Sequence, residues 1–490
     1  MNYETVIGLE VHVQLKTKSK LWCGCATTFG AAPNSQVCPV CLGLPGSLPV
    51  LNQKAVELGV RTGLALNCTI AVCCRFDRKQ YFYPDLPKGY QITQFHQPLG
   101  RGGWVEVPFA AGQRRVGITE IHLEEEAGRT AHFPPEADNP GYSLVDYNRS
   151  GLPLLEIVTA PELRSPEEAR TMLETLKVLL EELEVTDGKM EEGSLRCDAN
   201  LSVHRPGEPL GKRVELKNLN SFRAMEAALA FEAGRQRVLL TNGAPLDREE
   251  ARTWNEAKRK TVFMRFKEQA TDYRYFPEPD LPPVSIDGQW VERLAAGLPE
   301  LPEARRGRYL REFRLPADDA LLLSKNKAAA VFFEAVLGLY NGEAKTVSNW
   351  MLGDVTRLLK EEKSGFTDLK FGPEDLAALL SFLDRNEISG KIAKIVLAEM
   401  FQTGTPPAAI IRARGLFQIN DPQAIKALVL ETLAANGEAV RAYKSGKEKA
   451  VAFLVGDVMR KSKGRVNPEL LDRILKFELA VDEIKDIGLD

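Results

Sequence analysis

The alternating segment 6–15 constrains the fold of this chain more than any other feature. Its odd positions are all apolar: Ile7, Leu9, Val11, Val13 and Leu15. Between them lie Glu10, His12 and Gln14. Because successive side chains of a β-strand point to opposite faces, this pattern predicts a strand with one buried and one polar face. Carboxylates and imidazoles are ligands of divalent cations, so two interpretations stay open: an amphipathic strand at the solvent, or part of a metal site.

The segment 118–127 is a second strand candidate with an unusual acidic run. It contains the three consecutive carboxylates Glu124, Glu125 and Glu126. Neighbouring carboxylates repel one another unless a cation or a basic partner compensates their charge. A solvated acidic edge and a cation site are therefore both consistent with this run.

Two later segments combine carboxylates with cations. Polar and apolar residues alternate from Arg196 to residue 204, and Glu215 and Lys217 share one face of a short strand. Carboxylate, imidazole, guanidinium and ammonium groups on one sheet face suit magnesium and phosphate chemistry. Arg196 or Lys217 would compensate the negative charge that develops in a transfer reaction. Their convergence depends on the fold, which spacing alone does not establish.

Residues 75–85 interleave cations, Lys79 among them, with aromatic side chains. Such a mixture can stack a nucleic-acid base or hold phosphate groups. A buried aromatic hairpin is the alternative interpretation.

The cysteines Cys23 and Cys25 form one close pair, and Cys38 and Cys41 form a second pair after twelve intervening residues. Two thiol pairs on a glycine-containing loop predict a zinc site with four thiolate ligands. Such a site has no open coordination position, so its role would be structural. Reduced thiols in a core are the competing interpretation.

Net charge and hydropathy narrow the class of protein. The formal charge of −3 gives the whole chain no electrostatic bias toward nucleic acid, so any such binding must come from local patches such as the lysines and arginines of 444–465. Ordinary capping at a helix C-terminus is the alternative interpretation of those cations. No apolar run reaches the roughly 18 residues of a membrane span. The chain also starts without a basic and apolar leader, which predicts a cytoplasmic protein.

The pattern of elements predicts an α+β protein of three domains. Alternating strands dominate the first half, interrupted by a helix for which Ser165 is the predicted N-cap. After Trp290 the pattern is almost wholly helical. We therefore expect a mixed-sheet catalytic domain in 1–292, a helical domain in 293–407 and a small helical tail domain in 408–490.

Several nucleotide and hydrolase motifs are missing from the sequence. It has neither a Gly-x4-Gly-Lys-Ser/Thr phosphate loop nor a strand-linked Gly-x-Gly-x-x-Gly. It also lacks a nucleophile elbow. If the protein uses ATP, it must hold the nucleotide by another arrangement.

Long segments of the chain resemble the B-type subunits of the tRNA-dependent amidotransferases that act on Asp-tRNA(Asn) and Glu-tRNA(Gln). The segments that carry the resemblance are 6–15, 76–85, 189–200, 215–222, 272–280 and 446–468. The resemblance implies a cradle-like catalytic domain, a helical domain and a tRNA-binding tail. It also implies a heterotrimer with an amidase (glutaminase) subunit and a small stabilising subunit, and no interaction with DNA or membrane.

The activity implied by this resemblance is that of an ATP-dependent carbon–nitrogen ligase with glutamine as the amide donor. The B-type subunit would phosphorylate the side-chain carboxylate of the mischarged amino acid with ATP and Mg²⁺. Ammonia from the amidase would then displace the phosphate. A non-catalytic tRNA-binding scaffold in the same complex is the alternative function.

Specific residues follow from the family motifs. The magnesium site of the family falls on Glu10, His12 and Glu125, and Glu124, Glu192 and Glu215 are neighbouring candidates. We assign Glu10, His12 and Glu125 to catalysis as well. Chemistry rather than resemblance adds Lys79, Arg196 and Lys217 as phosphate or substrate ligands. Which carboxylate of the run 124–126 meets the metal stays open.

Overall fold

The computed structural model describes residues 2–110, 112–133, 141–267, 270–445, 447 and 449–486. It separates into two compact units, residues 1–302 and residues 303–490. The second unit contains two apolar cores, one within residues 309–411 and one within residues 425–479. The three-domain division with boundaries at 293 and 407 stays a prediction.

Strands occur only in the first unit among the described residues. In chain order they are β1 (Glu4–Gln14), β2 (Thr69–Ile70), β3 (Cys73–Cys74), β4 (Asp77–Gln80), β5 (Tyr90–Thr93), β6 (Gly100–Phe109), β7 (Gly112–Glu125), β8 (Arg129–Phe133), β9 (Tyr142–Asp146), β10 (Pro153–Thr159), β11 (Leu195–His204), β12 (Val214–Lys217), β13 (Glu250–Asn255), β14 (Lys260–Phe266), β15 (Phe276–Pro277) and β16 (Val284–Ser285).

The α-helices are α1 (Gln53–Ala65), α2 (Pro166–Glu182), α3 (Phe222–Thr241), α4 (Gly288–Ala296), α5 (Pro302–Arg311), α6 (Ala317–Ser324), α7 (Lys327–Leu339), α8 (Ala344–Trp350), α9 (Thr356–Glu361), α10 (Pro373–Asp384), α11 (Gly390–Thr403), α12 (Pro407–Arg414), α13 (Pro422–Ala435), α14 (Gly437–Lys444), α15 (Lys449–Lys461) and α16 (Pro468–Asp486). Single turns of other helix types lie at Ala270–Tyr273, Met351–Val355 and Phe366–Asp368. In the described part of the chain, no helix is both long and apolar enough to cross a bilayer.

One nine-stranded mixed sheet forms the centre of the first unit. Its strand order is β14-β13-β12-β11-β1-β10-β7-β6-β2. Neighbouring strands are antiparallel except β12 and β13, which are parallel. The predicted α+β class, a mixed sheet followed by a helical region, is confirmed.

The apolar row of β1 fixes the register of the sheet. Ile7, Leu9 and Val11 are at most 1% exposed and share a core with the buried residues of α1, α2 and α3. Burying one such side chain stabilises the fold by roughly 1.5–3 kcal/mol. A slip of one residue would move Glu10 and His12 into this core, so hydrophobic burial holds both on the opposite face.

The helix α2 begins as the sequence predicts. Ser165 has extended backbone angles, and its hydroxyl accepts a hydrogen bond from the backbone N–H of Glu168 at 3.2 Å. Pro166 follows at the first helical position, where its missing N–H costs no hydrogen bond. This cap places Met172 and Leu176 in the core beneath the sheet.

Candidate active site

Four neighbouring strands bring polar side chains into one row across the sheet. His122 of β7 is directly opposite Glu156 of β10, Glu156 is opposite His12 of β1, and His12 is opposite Arg196 of β11. Directly opposed residues of a sheet project from the same face. The polar face predicted for β1 therefore continues over at least three more strands.

Two carboxylates and one imidazole on this face of the sheet are close enough to hold a cation. His12 Nδ1 lies 3.3 Å from Glu124 Oε1 and 3.9 Å from Glu156 Oε2. One ligand atom from each of these three residues lies within 4.8 Å of the others. Carboxylate oxygens and an imidazole nitrogen form a donor set that suits a divalent cation, so these residues fit one chemically.

The charges of this cluster depend on one another. Burial alone would lower the pKa of His12, but the carboxylates of Glu156 and Glu124 outweigh it and raise that pKa to about 9. Burial would raise the pKa of Glu156, but His12 and His122 lower it to about 2. Against the effect of burial, His12 and His122 also lower the pKa of Glu124, so both carboxylates keep their charge and are available to compensate a cation. A cation that binds His12 must displace the proton of this imidazole.

Glu10 lies beside this cluster on β1. The side-chain amide of Asn200 donates a hydrogen bond of 2.8 Å to Glu10 Oε1. Burial raises the pKa of Glu10, and the nearby carboxylates of Glu156 and Glu215 raise it further. Glu10 therefore takes up a proton more readily than an ordinary glutamate.

A second group of charges adjoins Glu10. Lys217 Nζ lies 2.8 Å from Asp198 Oδ2 and 3.1 Å from Glu215 Oε1, and Lys267 Nζ lies 3.5 Å from the same Glu215 oxygen. Burial opposes ionisation of Glu215, but the two ammonium groups lower its pKa. These two lysines are positioned to contact an anionic substrate next to the cation cluster.

A cavity of about 330 Å³ joins the two groups. The residues that line it are Glu10, His12, Lys79, Gln91, Glu124, Glu156, Arg196, Asp198, Glu215, Lys217, Arg265, Lys267 and Tyr273. Seven residues predicted from the sequence meet here: Glu10, His12, Lys79, Glu124, Arg196, Glu215 and Lys217. A volume of this size fits the reacting ends of two substrates rather than two whole molecules.

The four predicted zinc ligands also converge. The sulfur atoms of Cys23, Cys25, Cys38 and Cys41 lie within 4.8 Å of one another. Cys23, the backbone N–H of Cys38 and the ammonium of Lys20 outweigh burial and lower the pKa of Cys41 to about 4. The pKa of Cys23 is raised, chiefly by its hydrogen bond with Cys41, and burial raises that of Cys25 to about 11. The fit to a four-thiolate zinc site therefore rests on the convergence of the four sulfur atoms, and zinc would displace the remaining thiol protons on binding.

Comparisons with known proteins show the family of this chain. Residues 5–292 match the GatB/GatE catalytic domain, and residues 331–479 match the GatB domain. The chain belongs to the GatB/GatE family. Its resemblance to this family, noted from the sequence, is thereby confirmed.

Relatives match this GatB/GatE chain over almost its whole length. The B-type subunit of the aspartyl/glutamyl-tRNA(Asn/Gln) amidotransferase of Moorella thermoacetica is 51% identical, over 98% of this chain and 100% of the relative. The proteins of the same name from Carboxydothermus hydrogenoformans and Geobacillus kaustophilus are each 49% identical, over 98% of this chain and 99% of the relative.

Two predicted site residues of this GatB/GatE chain lie outside the 330 Å³ cavity. Glu125 is adjacent to Glu124 on the strand, so its side chain points to the other face, where it is 1% exposed. Its carboxylate pairs with Lys88 and accepts a hydrogen bond of 2.8 Å from the backbone N–H of Ile92. Glu192 pairs with Lys189 at 2.7 Å. Their metal roles stay predictions, and Glu125 would have to leave Lys88 to fulfil one.

Glu156 and Lys267 line the cavity but belong to none of the motifs described above. Glu156 is the one charged residue of strand β10, where it lies between apolar neighbours at the centre of the sheet. Burial of an unpaired carboxylate costs several kcal/mol, so a single glutamate in a buried strand indicates a charged partner or a functional role. This was the one feature of the sequence that could have identified Glu156. Lys267 follows the last residue of β14, and no local pattern distinguishes it.

Proposed function

We propose that this chain is the B-type subunit of a tRNA-dependent amidotransferase. It converts the aspartyl group of mischarged Asp-tRNA(Asn), the glutamyl group of Glu-tRNA(Gln), or both, to the amide at the expense of ATP. Its partners are an amidase subunit, which releases ammonia from glutamine, and a small stabilising subunit. The observation that carries the proposal is the cavity in which Glu10, His12 and Glu124 face Lys217 and Arg196.

The chemistry requires two transfers at one carboxyl group. A side-chain oxygen of the substrate attacks the γ-phosphorus of ATP, which gives an acyl phosphate and ADP. Ammonia then attacks the acyl carbon, and inorganic phosphate leaves as the amide forms. Both steps concentrate negative charge on phosphate oxygens, which fixed cations stabilise in a dry site.

The cationic residues of the cavity suit these steps. Lys217 and Arg196 bind the phosphate oxygens and orient the substrate carboxylate, and Lys79 assists from β4. Glu10, with its raised pKa, accepts the proton that ammonia must lose after it attacks. The sequence lacks a hydrolase motif, so the ammonia comes from another chain.

Magnesium fits the first cluster. His12, Glu124 and Glu156 would hold it, with Glu10 beside them. When bound, Mg²⁺ neutralises phosphate oxygens and favours in-line geometry. The four cysteines would hold zinc in a closed site that stabilises the loop 23–41 and takes no part in the reaction.

The location and the tRNA contact follow from the substrate. Aminoacyl-tRNA is made and used in the cytoplasm, so we place the protein there. The helical segment 408–490 supplies the tRNA-binding tail, with the cations near the end of α15 against the RNA backbone.

The test uses the complete heterotrimer with mischarged tRNA, ATP, Mg²⁺ and free ammonia, which bypasses the amidase. We expect Glu10→Gln to lower ammonia-dependent amide formation by roughly 100-fold. Glu57→Gln, in an exposed ion pair on α1, is the matched control and should keep wild-type activity. If Glu10→Gln and Glu124→Gln are folded and fully active, the non-catalytic scaffold is the correct function.

A further inference from the structure

Lys20 lies beside the four predicted zinc ligands and is completely enclosed. Its exposed fraction is 0%, and no other lysine of the described residues is buried to this extent. Transfer of an ammonium group out of water costs several kcal/mol unless an anion lies nearby. The fold therefore has to supply a negative charge next to this side chain.

The anion that Lys20 contacts is a thiolate and not a carboxylate. Its Nζ donates hydrogen bonds to Cys41 Sγ at 3.5 Å and to the backbone oxygen of Tyr147 at 3.2 Å. Glu125 pairs with Lys88 instead, and no carboxylate of the described residues forms an ion pair with Lys20. Cys41 is the buried member of the four cysteines, whereas the other three are half-buried. The ammonium thus meets the sulfur that water reaches least.

A zinc centre with four thiolate ligands favours such a cation. The four thiolates carry twice the charge of the ion that they bind, so the centre keeps two negative charges in excess. The ammonium of Lys20 compensates one of these charges through a charge-assisted bond. The backbone N–H of Cys38 donates to the same sulfur at 3.2 Å but brings no charge.

A mechanical role is the alternative for Lys20. Its bond to Tyr147 connects the cysteine loop to the segment after β9, and the hydroxyl of Ser150 connects the same two parts by donating to the backbone oxygen of Cys41 at 3.2 Å. A mechanical role needs only an N–H donor, whereas compensation of the thiolates needs the charge. The two roles therefore differ in what a neutral donor at this position can replace.

We propose that Lys20 is the counter-ion of the zinc–thiolate centre and that its charge strengthens the binding of the metal. The inference rests on the zinc site of the proposed function and is independent of amide formation. Residues that donate hydrogen bonds to metal ligands commonly change metal affinity by roughly 10-fold to 100-fold. Lys20 adds a full charge to such a bond.

The test compares Lys20→Gln and Lys20→Met with wild type in the complete heterotrimer. Glutamine keeps an N–H donor but has no charge, and methionine has neither. The probe is Co²⁺, whose charge-transfer absorption reports binding to thiolates and not to carboxylates. Both variants should bind it roughly 10-fold to 100-fold more weakly than wild type. Lys18→Met, an exposed lysine two residues earlier, is the matched control and should keep wild-type affinity.

Melting temperatures with and without metal separate the two roles of Lys20. A counter-ion predicts that metal binding raises Tm less in both variants than in wild type. Wild-type affinity in Lys20→Gln, or an equal loss of Tm with and without metal, would overturn the inference and leave the zinc site intact. If wild type shows no thiolate absorption with Co²⁺, the zinc site itself is refuted and the inference with it. None of these measurements requires turnover, so failure of the amidotransferase reaction is detected separately.

Discussion

His122 Nε2 lies 3.0 Å from Glu156 Oε2, between directly opposed positions of β7 and β10. This contact orients the carboxylate of Glu156 toward His12 on the next strand. The pKa of His122 rises to about 10 because Glu156 and Glu124 outweigh the effect of burial. In metal sites, a second residue commonly donates a hydrogen bond to the ligand. This bond fixes the orientation of the ligand and tunes its charge.

Glu156→Gln should weaken the binding of a divalent cation by at least about 10-fold, because it removes one of the two carboxylates of the cluster. His122→Gln should weaken it by roughly 10-fold to 100-fold through lost orientation of Glu156. Titration with Mn²⁺ followed by electron paramagnetic resonance measures both effects. Glu106→Gln, in an exposed ion pair on β6, serves as the control. Wild-type affinity in Glu156→Gln would exclude this residue as a ligand.

The sequence predicted the polar face of β1 because side-chain alternation in a strand is fixed by the backbone. It could not place Glu156 on that face, because the neighbours of Glu156 in β10 form no polar row and pairing partners are set by the fold. The acidic run shows the same limit. Glu124 and Glu125 are adjacent and chemically identical, and only the neighbours His12 and Lys88 give them different surroundings. The start of helix α2 was predictable because its cap involves only Ser165 and the next few residues in the sequence.

Cys23→Ser should lower both the zinc content and the melting temperature of the protein. A four-thiolate site loses affinity when one ligand is replaced, and the loop it constrains then loses stability. Each kcal/mol lost should lower Tm by roughly 2–4 °C. Elemental analysis and calorimetry measure the two effects, and residual amide formation should remain.

The control for the zinc prediction is Cys73→Ser, an exposed cysteine outside the cluster. It should leave zinc content and Tm unchanged. Loss of activity in Cys23→Ser at full zinc content would contradict a structural role.

Asp319 makes part of the second unit sensitive to acid. Partial burial opposes ionisation, but hydrogen bonds from Lys345 and Ser348 on α8 lower the pKa of Asp319. A lowered folded-state pKa contributes stability that is present above the ordinary carboxyl pKa of about 3.9 and is lost as the pH falls through the lowered value. Hydrogen exchange of α6 and α8 should therefore show less protection in Asp319→Asn at pH 7, and this difference should shrink in acid. A difference that stays constant with pH would contradict the assignment.

Lys88→Met should destabilise the first unit by roughly 3–5 kcal/mol, because it leaves the buried carboxylate of Glu125 without its cation. The double variant Lys88→Met/Glu125→Leu should be more stable than the single variant, since it removes the unpaired charge as well. Thermal unfolding measures both, with Lys54→Met in an exposed pair as the control. The same Lys88→Met variant tests the predicted metal role of Glu125. If this carboxylate is a ligand, its release from Lys88 should strengthen Mn²⁺ binding, whereas unchanged affinity assigns Glu125 to the fold.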